Sequence, residues 1–261
     1  MSERFWFLKR CGLFEQLPAQ ELSLLESRAK VRRFERDSAI YLPGDVADGV
    51  LLLSEGRVRI CDSTPEGKQL ILAFIEPGEL FGELSLIDQQ PREERAEAAL
   101  ASTVILISGD AIQRVLQSVP ALSLGITKLI GFRRRRIERR LKTLLFRSNR
   151  ERLVHLLLEL AEQYGSVRAD GILIDIRLSH QDLANIIGST RETVTVTLGE
   201  LQGEGMIRIA RQSIVLTNAQ ALGRGVDLDP KRMQSILEGS AESGKNSADE
   251  RRDPATLGRS L

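Results

Sequence analysis

The sequence of 261 residues carries only two cysteines, Cys11 and Cys61, fifty positions apart. That scarcity excludes a disulfide scaffold, a four-cysteine zinc site and a cysteine-ligated iron–sulfur cluster, and it predicts a reducing, cytoplasmic setting. Cys61 reads as a buried structural thiol. Two histidines are present: His155 lies in an apolar helical pattern and His180 at a helix start, so they do not form a metal site together. No apolar run approaches the ~20 residues of a membrane helix. The opening MSERFWFLKRCGLF mixes charge through its aromatics and lacks the continuous apolar stretch of a signal peptide. Net charge is also missing, since 37 Lys and Arg offset 36 Asp and Glu, which excludes a uniformly basic coat protein and an acidic solvating chain. No GxSxG, Walker A or zincin motif occurs and no nucleophile–base pair is suggested by spacing, so the chain does not read as an enzyme.

What is present is enough apolar residue, 42% of the chain, for about two domains at roughly 100–200 residues each. Leu17, Leu22, Leu24 and Leu25 stand among polar residues as a short amphipathic helix. From Val31 to Ser108 short apolar runs are broken near Pro43-Gly44-Asp45, Ser54-Glu55-Gly56, Pro65-Glu66-Gly67 and Pro77-Gly78, a spacing that predicts an antiparallel β-roll. Arg57-Val58-Arg59-Ile60 alternates with period two, and the continuous run Leu70 to Ile75 predicts a strand buried on both faces. Asp110 can cap a helix to Ser118, and Pro120 suits the first turn of a long helix. Along that helix Ile126, Ile130, Ile137, Leu141 and Leu144 fall on steps of four and three, with Arg134 interrupting, as in a dimerising seam; packing on the helix's own domain is the other reading. The expected fold is α+β, with a β-roll over 13–119, a dimerisation helix over 120–146 and a winged helical domain over 147–220. A strand is expected across 172–178 and a strand pair near 206–217. From 223 to 261 glycine, serine and charge dominate and a disordered tail is expected.

The most specific stretch is LSHQDLANIIGSTRETVTVTLGELQGEGMIRI, residues 178–209. Ser179 with Asp182 and Ser189 with Glu192 have capping-box spacing, and Gly188 stands between them. Leu183, Ile186 and Ile187, then Val194 and Leu198, give two short amphipathic helices joined by a turn, the helix-turn-helix plan. With the roll segments LLLSEGRVRI and FIEPGELFGELSLI upstream, this stretch resembles the cyclic-AMP receptor protein and FNR superfamily of transcription regulators over about residues 13–220. ADGILIDIRLSHQ and IGSTRETVT are most similar to the nitrogen-control regulators of cyanobacteria. The resemblance implies a homodimer that binds a pseudo-palindrome in double-stranded DNA, works with RNA polymerase and is controlled by a small effector in the roll.

Carried onto this sequence, the resemblance implies that Arg191 and Glu192 read base edges, while Thr190, Thr193, His180 and Gln181 contact phosphate, with Ser189 and Thr195 beside them. The chemistry suits those roles: a guanidinium fork matches guanine O6 and N7, and a carboxylate accepts from cytosine N4. A third base-reading position, commonly arginine, is Val196 here, which offers an apolar contact such as one to a thymine methyl. From Arg177 to Arg211 four arginines are balanced by Asp182, Glu192, Glu200 and Glu204, so the reading domain is locally neutral. A sensor or adaptor that does not bind DNA is the rival reading.

For the effector, Gly82, Glu83, Leu84 and Ser85 look like the front of a phosphate-binding cassette, with Glu83 toward a ribose hydroxyl. The arginine that completes such a cassette falls on Glu93 when counted without gaps and on Arg92 with a one-residue slip, and acids follow in either case. An acid within ~4 Å of a phosphate costs on the order of several kcal/mol, which argues against cyclic AMP or another cyclic nucleotide. By resemblance to the nitrogen-control regulators, a 2-oxo acid would use Arg92 or Arg95 with Lys128. From Lys128 to Arg152 eleven basic residues face two acids, a run open to four readings: a solvated face, effector contact, an acidic partner or phosphate.

Overall fold

In a computed structural model the chain divides into two compact units, Met1–Arg139 and Arg140–Leu261. The structure describes residues 12–15, 17–64, 69–84, 90–210 and 213–238. Cys11, Ser85, Pro65-Glu66-Gly67, Arg211 and Gln212 lie outside the described residues.

The first unit opens with helix α1 (Ala19–Ser27), which buries Leu22 and Leu25. Strands β1 (Ala29–Phe34), β2 (Ala39–Tyr41), β3 (Gly49–Glu55), β4 (Val58–Ser63), β5 (Gln69–Ile75), β6 (Leu80–Phe81), β7 (Arg95–Ala98) and β8 (Ser102–Ser108) follow. They form two antiparallel sheets of order β1-β8-β3-β6 and β2-β7-β4-β5. Helix α2 (Gly109–Ser118) and the long α3 (Pro120–Phe146) come next, with Pro120 at the first position as expected. Asp110 stands in the first turn of α2 rather than at its cap, which is Ser108.

Period-two alternation sorts the central strands between two cores. Val50 and Leu52 of β3 and Ile105 and Ile107 of β8 join α1, α2 and the start of α3, while Leu51, Leu53, Val104 and Leu106 join Tyr41, Val58, Ile60, Ile75 and Phe81. Strands buried on both faces therefore exist, but they are β3 and β8 and not the run 70–75. β5 pairs only with β4 at a sheet edge, and Leu70, Leu72 and Ala73 stay partly exposed. The α3 pattern also needs correction: Ile126 is buried and Ile130 partly buried against the roll's own core. The large apolar residues that α3 leaves exposed are Leu124, Phe132, Ile137, Leu141, Leu145 and Phe146. Among the described residues no single helix is long and apolar enough to cross a membrane.

The second unit starts with α4 (Asn149–Tyr164), whose inner face includes Leu153, Leu157 and Leu160. A hairpin of β9 (Gly165–Arg168) and β10 (Gly171–Ile174) leads to α5 (His180–Ile187) and α6 (Arg191–Gly203), and then to β11 (Ile207–Ala210), β12 (Ser213–Leu216) and α7 (Ala219–Gly225). The sheet has the order β11-β12-β10-β9. The strand expected over 172–178 thus ends at Ile174 and has an unforeseen partner in β9. The tail expected over 223–261 is corrected for its described part, 223–238. Residues 230–238 are helical, Ile236 is buried, and Arg232 donates to Glu162 at 2.9 and 3.0 Å. A few apolar side chains among polar ones suffice there because α4 and α7 supply the rest of the contact surface.

Ser148 and Glu151 close a capping box at the start of α4: Ser148 N–H donates to Oε2 at 2.8 Å and the Glu151 N–H donates to the Ser148 hydroxyl at 3.3 Å. The Ser148 backbone N–H first, then its hydroxyl and Arg147, hold the Glu151 carboxyl down from 4.5 to about 2. A depressed carboxyl contributes stability above its unfolded value that is lost as pH falls. Urea midpoints should therefore drop between about pH 4.5 and pH 2, and Glu151→Gln should flatten that part of the acid limb.

Candidate nucleic-acid interface and effector pocket

The helix-turn-helix is assembled from caps and one special glycine. Ser179 accepts from the Asp182 N–H and Asp182 reaches back to the Ser179 N–H, as the spacing predicts. Gly188 ends α5 at φ 62°, in the left-handed region open to glycine, and the chain reverses there. The second box differs from expectation. Thr190 caps α6 and accepts from the Thr193 N–H at 3.2 Å, so Ser189 precedes the cap. A hydroxyl one residue further along meets the N3 donor equally well, and 189–192 spacing alone could not distinguish the two.

Val194, Thr197, Leu198 and Leu201 bury one side of α6. The other side exposes Arg191, Glu192, Thr195 and Val196, the last 62% exposed. His180 lies within 2.8 Å of the Thr195 hydroxyl through Nδ1. That hydroxyl also lies 2.8 Å from Arg191 O, and its contact with His180 ties the start of α5 to α6. Gln181 is exposed and donates to Asn185 Oδ1 at 2.8 Å. Glu192's own backbone N–H, then the Thr190 hydroxyl, hold its carboxyl below the ordinary value, leaving it an ionised acceptor at neutral pH. The expected DNA-facing residues thus gather at the start of α5 and along one face of α6. At the far end of α6, Arg150 donates to Glu204 at 2.6 Å and to Glu200 at 3.5 Å.

In the roll, Gly82 has φ 68°, and a Cβ on it would lie 2.5 Å from Arg92 Nη1. That approach lets Arg92 donate to Gly82 O at 2.5 Å and to Gly49 O at 2.6 Å while lying over the Tyr41 ring at 4.7 Å. Tyr41 in turn donates to Glu94 at 2.9 Å; burial first and then Glu94 push its phenol upward. Glu83 is 4% exposed, and both its oxygens accept from Arg133 Nη1 at 2.7 Å. Arg92 and Glu83 thus come together around Gly82. Arg95 instead pairs with Glu97 at 2.8 Å on β7, Leu84 is 44% exposed and Lys128 faces outward on α3.

The long-helix cation at the cassette is Arg133, which the motif comparison missed. Helical spacing could have found it, since 126, 130 and 133 share one face and the first two are roll core. The basic run is in part an ion-pairing face: Arg134 meets Glu138 at 2.8 Å and Arg140 meets Glu159 at 3.2 Å.

Comparison with known proteins agrees with this architecture. A cyclic nucleotide-binding domain matches residues 31–119 and a Crp-like helix-turn-helix domain matches residues 151–224. Over 197 residues the chain is 36% identical to a global nitrogen regulator of Synechocystis, covering 74% of this chain and 87% of that protein. The chain belongs to the CRP/FNR family of transcription regulators. A CRP-like cAMP-activated global transcriptional regulator of Mycobacterium tuberculosis is 25% identical over 217 residues, 83% of this chain and 97% of that one. The crystal structure of a CRP/FNR-family transcriptional regulator from Thermus thermophilus matches with a TM-score of 0.60 at 30% identity, covering 76% of this chain and 98% of that one. This CRP/FNR member is accordingly a DNA-binding transcription regulator, and the adaptor reading is set aside.

In this regulator Gly82→Ala should lower stability by about 1–3 kcal/mol, because the new methyl is strained at positive φ and forces Arg92 off its carbonyls. Thermal unfolding of the variant checks it; an unchanged midpoint would show the close approach to be dispensable.

Proposed function

We propose that this regulator reads a pseudo-palindromic DNA site as a homodimer, with α6 in the major groove. The observation that carries the reading is the exposed row Arg191, Glu192, Thr195 and Val196 on a helix anchored from behind by Val194 and Leu198. Arg191 reads guanine and Glu192 reads cytosine, while Val196 meets a thymine methyl and shifts preference away from a second guanine. Thr190, Thr193, His180, Gln181 and Ser189 hold the helix on the backbone through phosphates. Local neutrality makes the non-specific term weak, so the salt slope is shallow.

Dimerisation runs along the apolar residues that α3 leaves in solvent, chiefly Ile137, Leu141 and Leu145. Two copies then present their α6 helices to half-sites about one helical turn apart or a multiple of it. The division of labour follows the chain: an effector roll over 13–119, α3 as the dimer element and the reading domain from 147. RNA polymerase is the protein partner, and the setting is cytoplasmic. The effector is a small anion in the roll, and the resemblance to nitrogen-control regulators supports a 2-oxo acid in preference to a cyclic nucleotide.

Site selection from random duplexes tests the reading: enrichment of a palindrome is expected, and none with or without 2-oxo acids or cyclic nucleotides would overturn it. On the selected site Arg191→Ala should cost about 1–3 kcal/mol and relax one base position. In sedimentation, Ile137→Asp with Leu141→Asp should yield monomers that lose the palindrome.

A further inference from the structure

Of the side chains expected on the DNA backbone, Ser189, Thr190, Thr193 and Gln181 keep a hydrogen-bond donor at any pH, and His180 does not. A neutral imidazole has one donor nitrogen and one acceptor nitrogen, so its use on a phosphate depends on where its proton sits. His180 is half-buried at the first position of α5, with Nδ1 2.8 Å from the Thr195 hydroxyl oxygen. The same oxygen lies 2.8 Å from Arg191 O. A hydroxyl has one proton to give, and a carbonyl only accepts. Both contacts are therefore satisfied together only when Nδ1 carries a proton and donates to Thr195, whose own proton then goes to Arg191 O. Nε2 has no hydrogen-bond partner among the described residues and is not buried.

We infer that Thr195 is a positioning residue for His180: by holding the Nδ1 proton it leaves Nε2 bare, so that His180 meets a DNA phosphate only as the imidazolium and binding takes up a proton there. The inference rests on the DNA reading above and deepens it. A phosphate oxygen is an acceptor, and the bare Nε2 lone pair repels it. The imidazolium donates from both nitrogens, which keeps Thr195 and adds a charge-assisted bond to the backbone. By linkage, proton and DNA each raise the other's affinity, so binding tightens as pH falls through the range in which histidine gains its charge. The charged groups around the imidazole are Asp182, tied to Ser179 at 2.6 and 2.9 Å, the exposed Arg191 and Glu192 in the first turn of α6, and the exposed Arg177 ahead of α5. The inner face of α4, also packed on α5, is the apolar Leu153, Leu157 and Leu160. Carboxylates and guanidinium groups hold their charge between about pH 5.5 and 7.5, and histidine does not.

The test uses the full chain with a random-sequence duplex and with the palindrome recovered by site selection, at constant ionic strength between about pH 5.5 and 7.5. Fluorescence anisotropy gives the affinity, and calorimetry in two buffers of different ionisation enthalpy counts the protons taken up. The native chain should bind at least about fivefold more tightly at the acid end, with net proton uptake. His180→Gln should flatten the profile and abolish the uptake. The chain's other histidine, His155 on α4, is the control, and His155→Gln should keep the native profile. Thr195→Val should make the profile shallower, because an imidazole freed from the hydroxyl can present Nε2–H while neutral, and Thr195→Ser should restore it. In the free chain at about pH 8 the imidazole nitrogen chemical shifts of His180 should place the proton on Nδ1. A native profile as flat as that of His180→Gln overturns the inference and leaves the DNA reading standing. So does a Thr195→Val profile as steep as the native one, a profile flattened by His155→Gln, or a neutral imidazole protonated at Nε2. No binding to either duplex at any pH overturns both.

Discussion

The roll depends on β3 and β8 being apolar on both faces. Their side chains alternate between a core closed by the second sheet and a core closed by α1, α2 and the first turns of α3. Because Val50 and Leu51 are neighbours in the chain yet belong to different cores, a slip of one residue would misplace both sets together. That constraint holds the strand order β1-β8-β3-β6, and it places Gly49 and Leu80 beside each other's strands, where their carbonyls receive Arg92 and Arg133. The charged groups around Gly82 are therefore positioned by hydrocarbon packing a few residues away. Their own attraction fixes only the last ångström.

The reading unit solves a different problem, with less hydrocarbon. α5 has eight residues and α6 thirteen, too short to be stable by propensity alone. Caps at Ser179 and Thr190, the reversal at Gly188 and the buried face of Leu183, Ile187, Val194 and Leu198 hold them. The polar residues at the cap positions serve twice. Thr190 closes the first turn of α6 and faces outward with Glu192, whose ionised state the same turn maintains. The residues expected to face DNA are thus held by the same hydrogen bonds that cap the helix.

Much of this was legible in the residues. The turn clusters at Pro43-Gly44-Asp45 and Pro77-Gly78 fall between strands, Ser54-Glu55-Gly56 spans the end of β3, Pro120 opens α3, and Ser179 with Asp182 forms the predicted box. Apart from the two caps displaced at Asp110 and Ser189, the misreadings share one cause. Leu70 to Ile75 resembles a central strand because its composition is apolar, yet edge or centre depends on partners far along the chain, and β5 has only β4. Ile126 and Ile130 match a seam because a helix facing its own domain and one facing a second copy have the same period. The helix over 230–238 was hidden for the converse reason, since its sparse apolar residues find partners only once α4 and α7 are folded.

By itself the sequence determined the periods, the box at Ser179 and the turn at Gly188, and with them the order of roll, long helix and helix-turn-helix, because each of these is a property of residues within a few positions of one another. The grouping of the residues proposed to read bases was legible at the same level, since Arg191, Glu192 and Val196 share one helix. Tertiary structure alone decided which strand is central and which isoleucines of α3 belong to the roll. It also decided that Glu83, fifty residues from Arg133, meets that guanidinium. A charge's partner is set by distance in space, and only the packed sheets bring those two groups within 2.7 Å.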